Sequence, residues 1–333
     1  MSDQNSTPIA LTAASATSSF SRSRILTDTW LLQAKWSTRA TNFKRGLERW
    51  RDWAAAAGIL GAFLATLAAT TDLDPTARST LAIVGAVALA FVPYTAMYRT
   101  SREQVRNWVR ARSVSEGLKE DIYRFLAGGP PYGADRDMRQ FVDRRDAILN
   151  AAGDLEKYDA EVTAEQSSQA EKRPTAPLNA DEYVDKRVNQ QITGYYEKQS
   201  RRNARRAGLF RQCVFSVGLL AAIFGVISSG TAGGFRWDVP QWIPQLGPWV
   251  AVLTTISAAV TAHMAAARYD ELSVNYAATA RQLTRLRDRF DSDPQRADQA
   301  VIEKFVDEVE SAISSENETW RAAWTDEKTA ATA

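Results

Sequence analysis

The chain has 333 residues, with 41 Lys and Arg against 39 Asp and Glu, and a single His and a single Cys. The near balance of charge gives no global field that would recruit nucleic acid, so no specific nucleic-acid partner is expected. The lone Cys213 excludes an internal disulfide, and the lone His263 excludes a histidine metal cluster or a catalytic triad.

Residues 1–24 are rich in Ser, Thr and Ala and lack a hydrophobic run followed by a cleavage site, so they read as a disordered tail. From Trp30 to Trp53, the residues Trp36, Phe43, Leu47 and Trp50 recur at near-helical spacing and predict a helix continuous with the segment that follows. That segment, about 54–71, carries no charge, and neither does about 79–98; Asp72, Asp74, Pro75 and Arg78 mark the turn between them. Each is close to the length of about 20 residues with which a helix crosses a hydrocarbon core, where internal bonding must satisfy every backbone amide. Val105, Trp108, Val109, Leu118, Ile122 and Phe125 then mark an amphipathic helix, which Gly128, Gly129, Pro130 and Pro131 end. The Gly-rich run up to Gly133 follows no strand and lacks a Gly-Lys-Ser/Thr end, so it is a helix terminator rather than a phosphate loop.

Residues 161–180, with Pro174 and Pro177, read as a linker that divides the chain into a first domain over 25–160 and a second over 181–325, leaving a tail at 326–333. In the second domain Tyr183, Val188, Ile192, Tyr195 and Tyr196 begin a helix that runs into a third charge-free span at about 212–233. A fourth span lies at about 246–267, with Arg236 and Asp238 in the turn and Trp237, Trp242 and Trp249 around it as an aromatic belt. Leu272, Tyr276, Leu283, Leu286 and Phe290 extend the fourth span, and Val301, Phe305, Val309, Ile313 and Trp320 form a last helix. The carboxylates Glu303, Asp307, Glu308 and Glu310 on that helix read as a solvated face.

The expected fold is an all-α membrane protein of two transmembrane hairpins, four spans in all, extended by long cytoplasmic amphipathic helices. Basic residues flank both hairpins, Arg45, Arg49 and Arg51 before the first and Arg201, Arg202, Arg205 and Arg206 before the second, while each turn holds one Arg. By the positive-inside rule both termini are cytoplasmic. Small-residue stripes mark candidate helix-packing faces: Ala57, Gly61 and Ala65 in the first span, Gly218, Ala222 and Gly225 in the third, and Ala258, Ala262 and Ala266 in the fourth. Together with aromatic stripes that exceed what one chain readily covers, they predict a homo-oligomer. Thr254, Ser257 and Thr261 place three hydroxyls on one face of the fourth span and are candidate pore-lining residues, with His263 near the mouth; the competing reading is that each hydroxyl bonds a carbonyl of its own helix. No enzyme activity, cofactor or metal is expected.

A two-span hairpin inside long cytoplasmic helices, occurring twice, resembles the SLATT family, the SMODS and SLOG-associating two-transmembrane effector domains. Trp108, Arg110, Ala111, Ser115, Glu116, Leu118 and Lys119, then Phe125, Leu126, Pro131 and Tyr132, look like the helix after the hairpin in one subtype. Tyr183, Arg187, Val188, Gln191, Tyr195 and Tyr196 resemble the leading helix of another, whose closing helix is echoed by Glu316, Glu318 and Trp320. The resemblance implies a bacterial inner-membrane effector in a conflict or antiphage defence system. Such an effector opens a pore in the lipid bilayer when a separate sensor or nucleotide-signal-producing protein triggers it. The rival function is a membrane scaffold for a cytoplasmic signalling or stress complex. A transporter is disfavoured, since apart from Pro93 the spans show neither broken helices nor intramembrane charge.

Overall fold

The computed structural model describes residues 8–158, 160–232 and 246–325. The second hairpin's turn with Arg236, Trp237, Asp238 and Trp242, and the tail at 326–333, lie outside the described residues, as do the side chains of Glu318 and Trp320. Every extended element among the described residues is helical. α1 is Pro8–Thr70, α2 Pro75–Tyr98, α3 Arg102–Ala127, α4 Met138–Asn150, α5 Ala164–Glu171 and α6 Ala180–Tyr183; a π-helix over Val184–Tyr196 follows, then α7 Glu197–Ala232, α8 Gly247–Ala267, α9 Tyr269–Asp291 and α10 Gln299–Thr325. Four stretches are long and apolar enough to cross a membrane: Phe20–Thr70, Pro75–Tyr98, Ala180–Ser229 and Gly247–Asp291. The protein is an all-α, multi-pass membrane protein.

Local chemistry sets the helix ends. Asp74 caps α2 by accepting from the amides of Thr76 at 2.8 Å and Ala77 at 3.1 Å, and Pro75 occupies the first turn, where a missing N–H costs nothing. α3 stops at Gly128, whose φ of +69° suits a residue without Cβ, and the Gly129 amide then donates to Arg124 O at 2.8 Å. Reciprocal capping boxes start α5 at Thr163 with Gln166, and α6 at Asn179 with Glu182.

Three expectations change. The segment expected as a disordered tail is helical from Pro8 on, and Leu26 and Trp30 just beyond it are fully buried. The expected linker holds α5 and is tied into the core, for Leu178 is buried and its amide donates to Leu126 O at 2.8 Å. The prolines break the helix there without freeing the chain, because Trp30 Nε1 donates to Pro174 O at 3.0 Å and fixes that segment in place. Finally, the helix through the fourth span is interrupted at Arg268, which adopts φ +50°, before α9 resumes.

The contacts group the chain into two compact units that cut across the two sequence halves. One unit, called the cytoplasmic unit after the side on which the basic clusters are expected, gathers the chain up to Lys44, Val105–Glu197 and Ala277 onward; the other, the membrane unit, gathers Arg45–Gln104 and Lys198–Tyr276. In the cytoplasmic unit the aromatic stripes meet one another. Trp30 packs edge-on against Tyr123 at 5.6 Å, Phe125 against Phe141 at 4.9 Å, and Phe290 stacks on Phe305 at 4.2 Å. Trp30, Trp36, Trp108, Phe125, Tyr183 and Phe305 are all buried by the chain's own helices, so these stripes supply no argument for self-association.

In the membrane unit the first hairpin closes at Gly61 and Gly85. A Cβ on Gly61 would lie 2.7 Å from Leu89 Cγ and 2.9 Å from Gly85 O, and one on Gly85 would lie 3.1 Å from Gly61 O, so only glycine permits this approach. In the second hairpin Ser200 and Ser273 exchange hydroxyl-to-carbonyl hydrogen bonds at 2.9 and 3.1 Å. Phe63 meets Trp249 edge-on at 5.3 Å. Elsewhere the spans turn Ile83, Val87, Phe215 and Val226 outward, an apolar surface that suits lipid and not water.

Candidate functional site

Two regions concentrate the polar chemistry. The first is on α8, which brings Thr254, Ser257 and Thr261 to an open groove of about 610 Å³ shared with Gly218 and Ala221 of α7. Ala258 and Ala262 line the same groove, so residues expected to line a pore and residues expected to pack helices occupy one face. Thr254 Oγ1 donates to Ala251 O at 3.0 Å and Thr261 Oγ1 to Ser257 O at 2.8 Å, so both hydroxyl protons stay within the helix while oxygen lone pairs face outward. His263 stands apart. Its Nδ1 is 3.6 Å from Asp52 Oδ1, its Nε2 is 3.3 Å from the Tyr269 hydroxyl, and its ring lies 5.2 Å from Phe210.

The packing stripes also separate. Gly61 is the tight contact described above, and Ala65 takes part in it, since its amide nitrogen would lie 3.3 Å from a Cβ on Gly85. Ala57 precedes them by one turn and is half-buried. Gly218 and Gly225 have open space where a Cβ would go, and Ala222 is exposed. Ala266, at the end of α8, is half-buried.

The second region lies in the cytoplasmic unit and was not read from the sequence. Arg187, on the π-helix, and Glu310, on α10, form a fully buried bidentate pair at 2.9 and 2.6 Å, and the Tyr183 hydroxyl donates to Glu310 Oε1 at 2.8 Å. The solvated-face reading of Glu310 is thus corrected. Burial opposes the charge on Arg187, but the Glu310 carboxylate outweighs it and raises the guanidinium pKa; burial and then Glu310 push the Tyr183 phenol well up. Asp307 on the same helix accepts from Arg124 at 2.6 Å. The Arg187 guanidinium also covers the Tyr123 ring at 4.6 Å. With its amide oxygen facing the two cations, Gln191 accepts from Arg187 at 2.9 Å and Lys119 at 3.0 Å.

Around this core the charges are strongly perturbed. Burial lowers the Lys119 ammonium to about 8 despite Glu116, while Arg187 and Arg173 push the same way. Burial also works against Glu116, but Lys119, Arg112, Arg187 and Arg173 together hold its carboxyl below the usual range. Glu316 is pushed up to about 7 by burial, with Glu116 adding to the effect and Arg112 opposing it, and its Oε2 has no hydrogen-bond partner among the described residues. The π-helix sets the spacing. Its bonds run from residue i to i−5, as the Glu197 amide shows by donating to Ile192 O, and such widened turns are frequent at functional sites.

Residues 183–320 match the family model described as SMODS and SLOG-associating 2TM effector domain 1, SLATT_1. The chain carries a SLATT_1 domain. Residues 32–140 match a different family model, Protein of unknown function (DUF4231), and two matches of different type fit a tandem SLATT-like protein of two subtypes. No curated protein and no solved structure matches the chain. The SLATT_1 domain is a two-transmembrane effector domain associated with conflict systems. It contains the whole α8 hydroxyl face, and it supplies Tyr183, Arg187, Gln191 and Glu310 to the buried cluster. The region matching DUF4231 supplies Glu116, Lys119 and Tyr123. Of the motif residues that carry the resemblance, Glu116 and Lys119 from one half and Tyr183, Arg187 and Gln191 from the other therefore meet at one place in the cytoplasmic unit. Sequence reading could name them but not pair them, because Arg187 and Glu310 are 123 positions apart.

Proposed function

We propose that the protein is an oligomeric effector of a bacterial conflict or antiphage defence system, which opens a regulated pore in the inner membrane and so arrests or kills the cell. The observation that carries this reading is the α8 face, where Thr254, Ser257 and Thr261 lie beside the small residues Gly218, Ala258 and Ala262 in an uncovered groove. Small residues let neighbouring copies approach closely, and hydroxyls whose protons are already bonded inside the helix cost little in lipid yet keep lone pairs for water. In a single chain only 6–11% of each span's apolar window is buried, which leaves ample helix surface for copies to share. On this reading both termini face the cytoplasm, because Arg clusters flank the hairpins. The trigger comes from a separate sensor or nucleotide-signal-producing protein.

The test replaces Thr254→Val, Ser257→Ala and Thr261→Val together and measures ion flux in proteoliposomes and growth arrest on overexpression. Flux is expected to fall by about tenfold as the constriction dewets, with expression and oligomer size unchanged. Unaltered flux moves the path to another helix face. If the unmodified protein passes no ions under any trigger, the rival function, a membrane scaffold holding a cytoplasmic signalling or stress complex, takes its place.

A further inference from the structure

Beside the buried Arg187–Glu310 pair, α3, the π-helix and the segment at Lys172–Pro174 enclose a cleft of about 610 Å³. Lys119, Lys172, Arg173, Lys186 and Arg187 stand on its wall, and among the described residues no carboxylate does. Carboxylates offset these cations without lining the cleft, and buried Glu116 acts in this way on Lys119, Arg187 and Arg173. Glu310 holds Arg187 at 2.6 Å from the core side, and Glu182 meets Lys186 at 3.2 Å. The guanidinium of Arg173 lies over the Trp30 ring at 4.5 Å, which fixes its position without neutralising it.

Like charges gathered in a partly buried cleft repel one another and disfavour their own ionisation, and an anion between them removes both penalties. The perturbation is visible: burial lowers Lys119 to about 8 and also lowers Arg173, with Arg187 adding to both shifts. A fold keeps such an arrangement at a cost in stability unless a ligand uses it. The size is informative too, since small-molecule sites run from roughly 300 to 1,000 Å³. Six of the lining residues belong to the π-helix, and one of them, Gly194, has nothing within 4 Å of where a Cβ would stand, so the cleft is open there.

We propose that this cleft binds a small molecule bearing two or more phosphates, held by Lys119, Lys172 and Arg173, with Arg187 already fixed by Glu310 as its base. A diphosphate offers several acceptor oxygens to the Lys and Arg donors, and an attached ring has the half-buried Tyr195 on the wall to lie against. The same chemistry is presented by a free nucleoside polyphosphate and by a phosphorylated lipid headgroup. The proposal is the soluble one, and it stands on the cytoplasmic unit without reference to any pore.

The probes are ATP and inorganic pyrophosphate, titrated against the full-length protein in nanodiscs of zwitterionic lipid at constant ionic strength. Saturable binding is expected for both. Lys172→Gln with Arg173→Gln should raise Kd by about 30-fold, the loss of two charge-assisted contacts. Gly194→Glu places a carboxylate in the open part of the cleft without a steric clash, and it should abolish binding while leaving the thermal unfolding midpoint unchanged or higher. If neither probe binds saturably, or if both variants bind as the unmodified protein does, the proposal is overturned. It is equally overturned if the variants weaken only association with vesicles containing phosphatidylglycerol, because the ligand is then a lipid headgroup.

Discussion

The two units of this protein bury opposite things. In the membrane unit Phe215 and Val226 expose 70% and 71% of their surface, and the first hairpin closes where Gly61 and Gly85 bring two backbones together. In the cytoplasmic unit the Arg187 and Glu310 side chains are 1% and 0% exposed, and aromatic rings surround them. Lipid is as apolar as leucine, so there is no gain in hiding leucine from it, and close packing of small residues must hold the spans together. Water reverses the preference: the cytoplasmic unit hides its aromatics, and an ion pair caught among them specifies which helices meet. Polar groups that depart from this pattern are therefore the buried charges of the cytoplasmic unit and the exposed hydroxyls of the membrane unit.

Unpairing the buried charge should have the largest effect on the cytoplasmic unit and none on the packing of the spans. Arg187→Met leaves Glu310 without its partner in a site closed to water, which costs about 3–5 kcal/mol. The detergent-solubilised protein should unfold at clearly lower temperature by tryptophan fluorescence, with Trp30, Trp36 and Trp108 reporting from the cytoplasmic unit. Adding Glu310→Leu to Arg187→Met should recover most of the loss, since a pair replaced by apolar residues of similar volume is often neutral. A single variant as stable as the unmodified protein would mean that the pair is not buried as described.

A smaller effect follows from Glu316. Its folded pKa of about 7 lies above the ordinary carboxylate value of 4.5, so the fold binds the proton more tightly than the unfolded chain does. The stability this provides is fully present below about pH 4.5, declines as pH rises towards 7, and is gone above it. Glu316→Gln keeps the neutral shape and removes the titration. It should stabilise the protein at pH 8 by on the order of 2 kcal/mol and flatten the pH dependence between 4.5 and 7. An unchanged slope would place the titrating group elsewhere.

How far the sequence could be read follows from the same contrast. A charge-free run of about 20 residues is a local signal, and so are the Asp74–Pro75 cap and the Gly128 terminator, which is why the four spans and the end of α3 were legible. The hydroxyl face of α8 was legible for the same reason: Thr254, Ser257 and Thr261 repeat at helical spacing, and the structure sets them on one groove. The Arg187–Glu310 pair was not, because a charged residue on an amphipathic helix reads as solvated unless its partner is known, and that partner comes from a distant helix. The segment at Lys172–Leu178 misled through its prolines, which mark a break in helix but say nothing of whether the chain is then buried. The widened turn of Val184–Tyr196 does leave a trace in the sequence: Tyr183, Val188 and Ile192, all buried, are spaced five and four apart, which an ordinary helix would spread over opposite faces and a wider turn gathers on one.

The smallest expected effect divides the membrane unit against itself. Gly61 and Gly218 both belong to small-residue stripes and look alike in sequence, yet a Cβ on Gly61 would strike Leu89 and the Gly85 carbonyl, while one on Gly218 would meet nothing within 4 Å. Gly61→Ala must therefore push the first hairpin apart, at a cost of about 1–2 kcal/mol from overpacking. The thermal midpoint should fall, and Gly85→Ala should behave similarly. Gly218→Ala should leave the fold of one chain untouched, so any effect it has must arise between copies. If neighbouring chains cover the groove of Gly218, Thr254 and Ala258, then Gly218→Leu shifts the particle in native-like lipid to a smaller oligomer without lowering the midpoint of the cytoplasmic unit. An oligomer distribution unmoved by Gly218→Leu would leave the groove facing lipid and remove self-association through this face, whereas Gly61→Ala without cost would mean that the first hairpin is looser than its backbone contact requires.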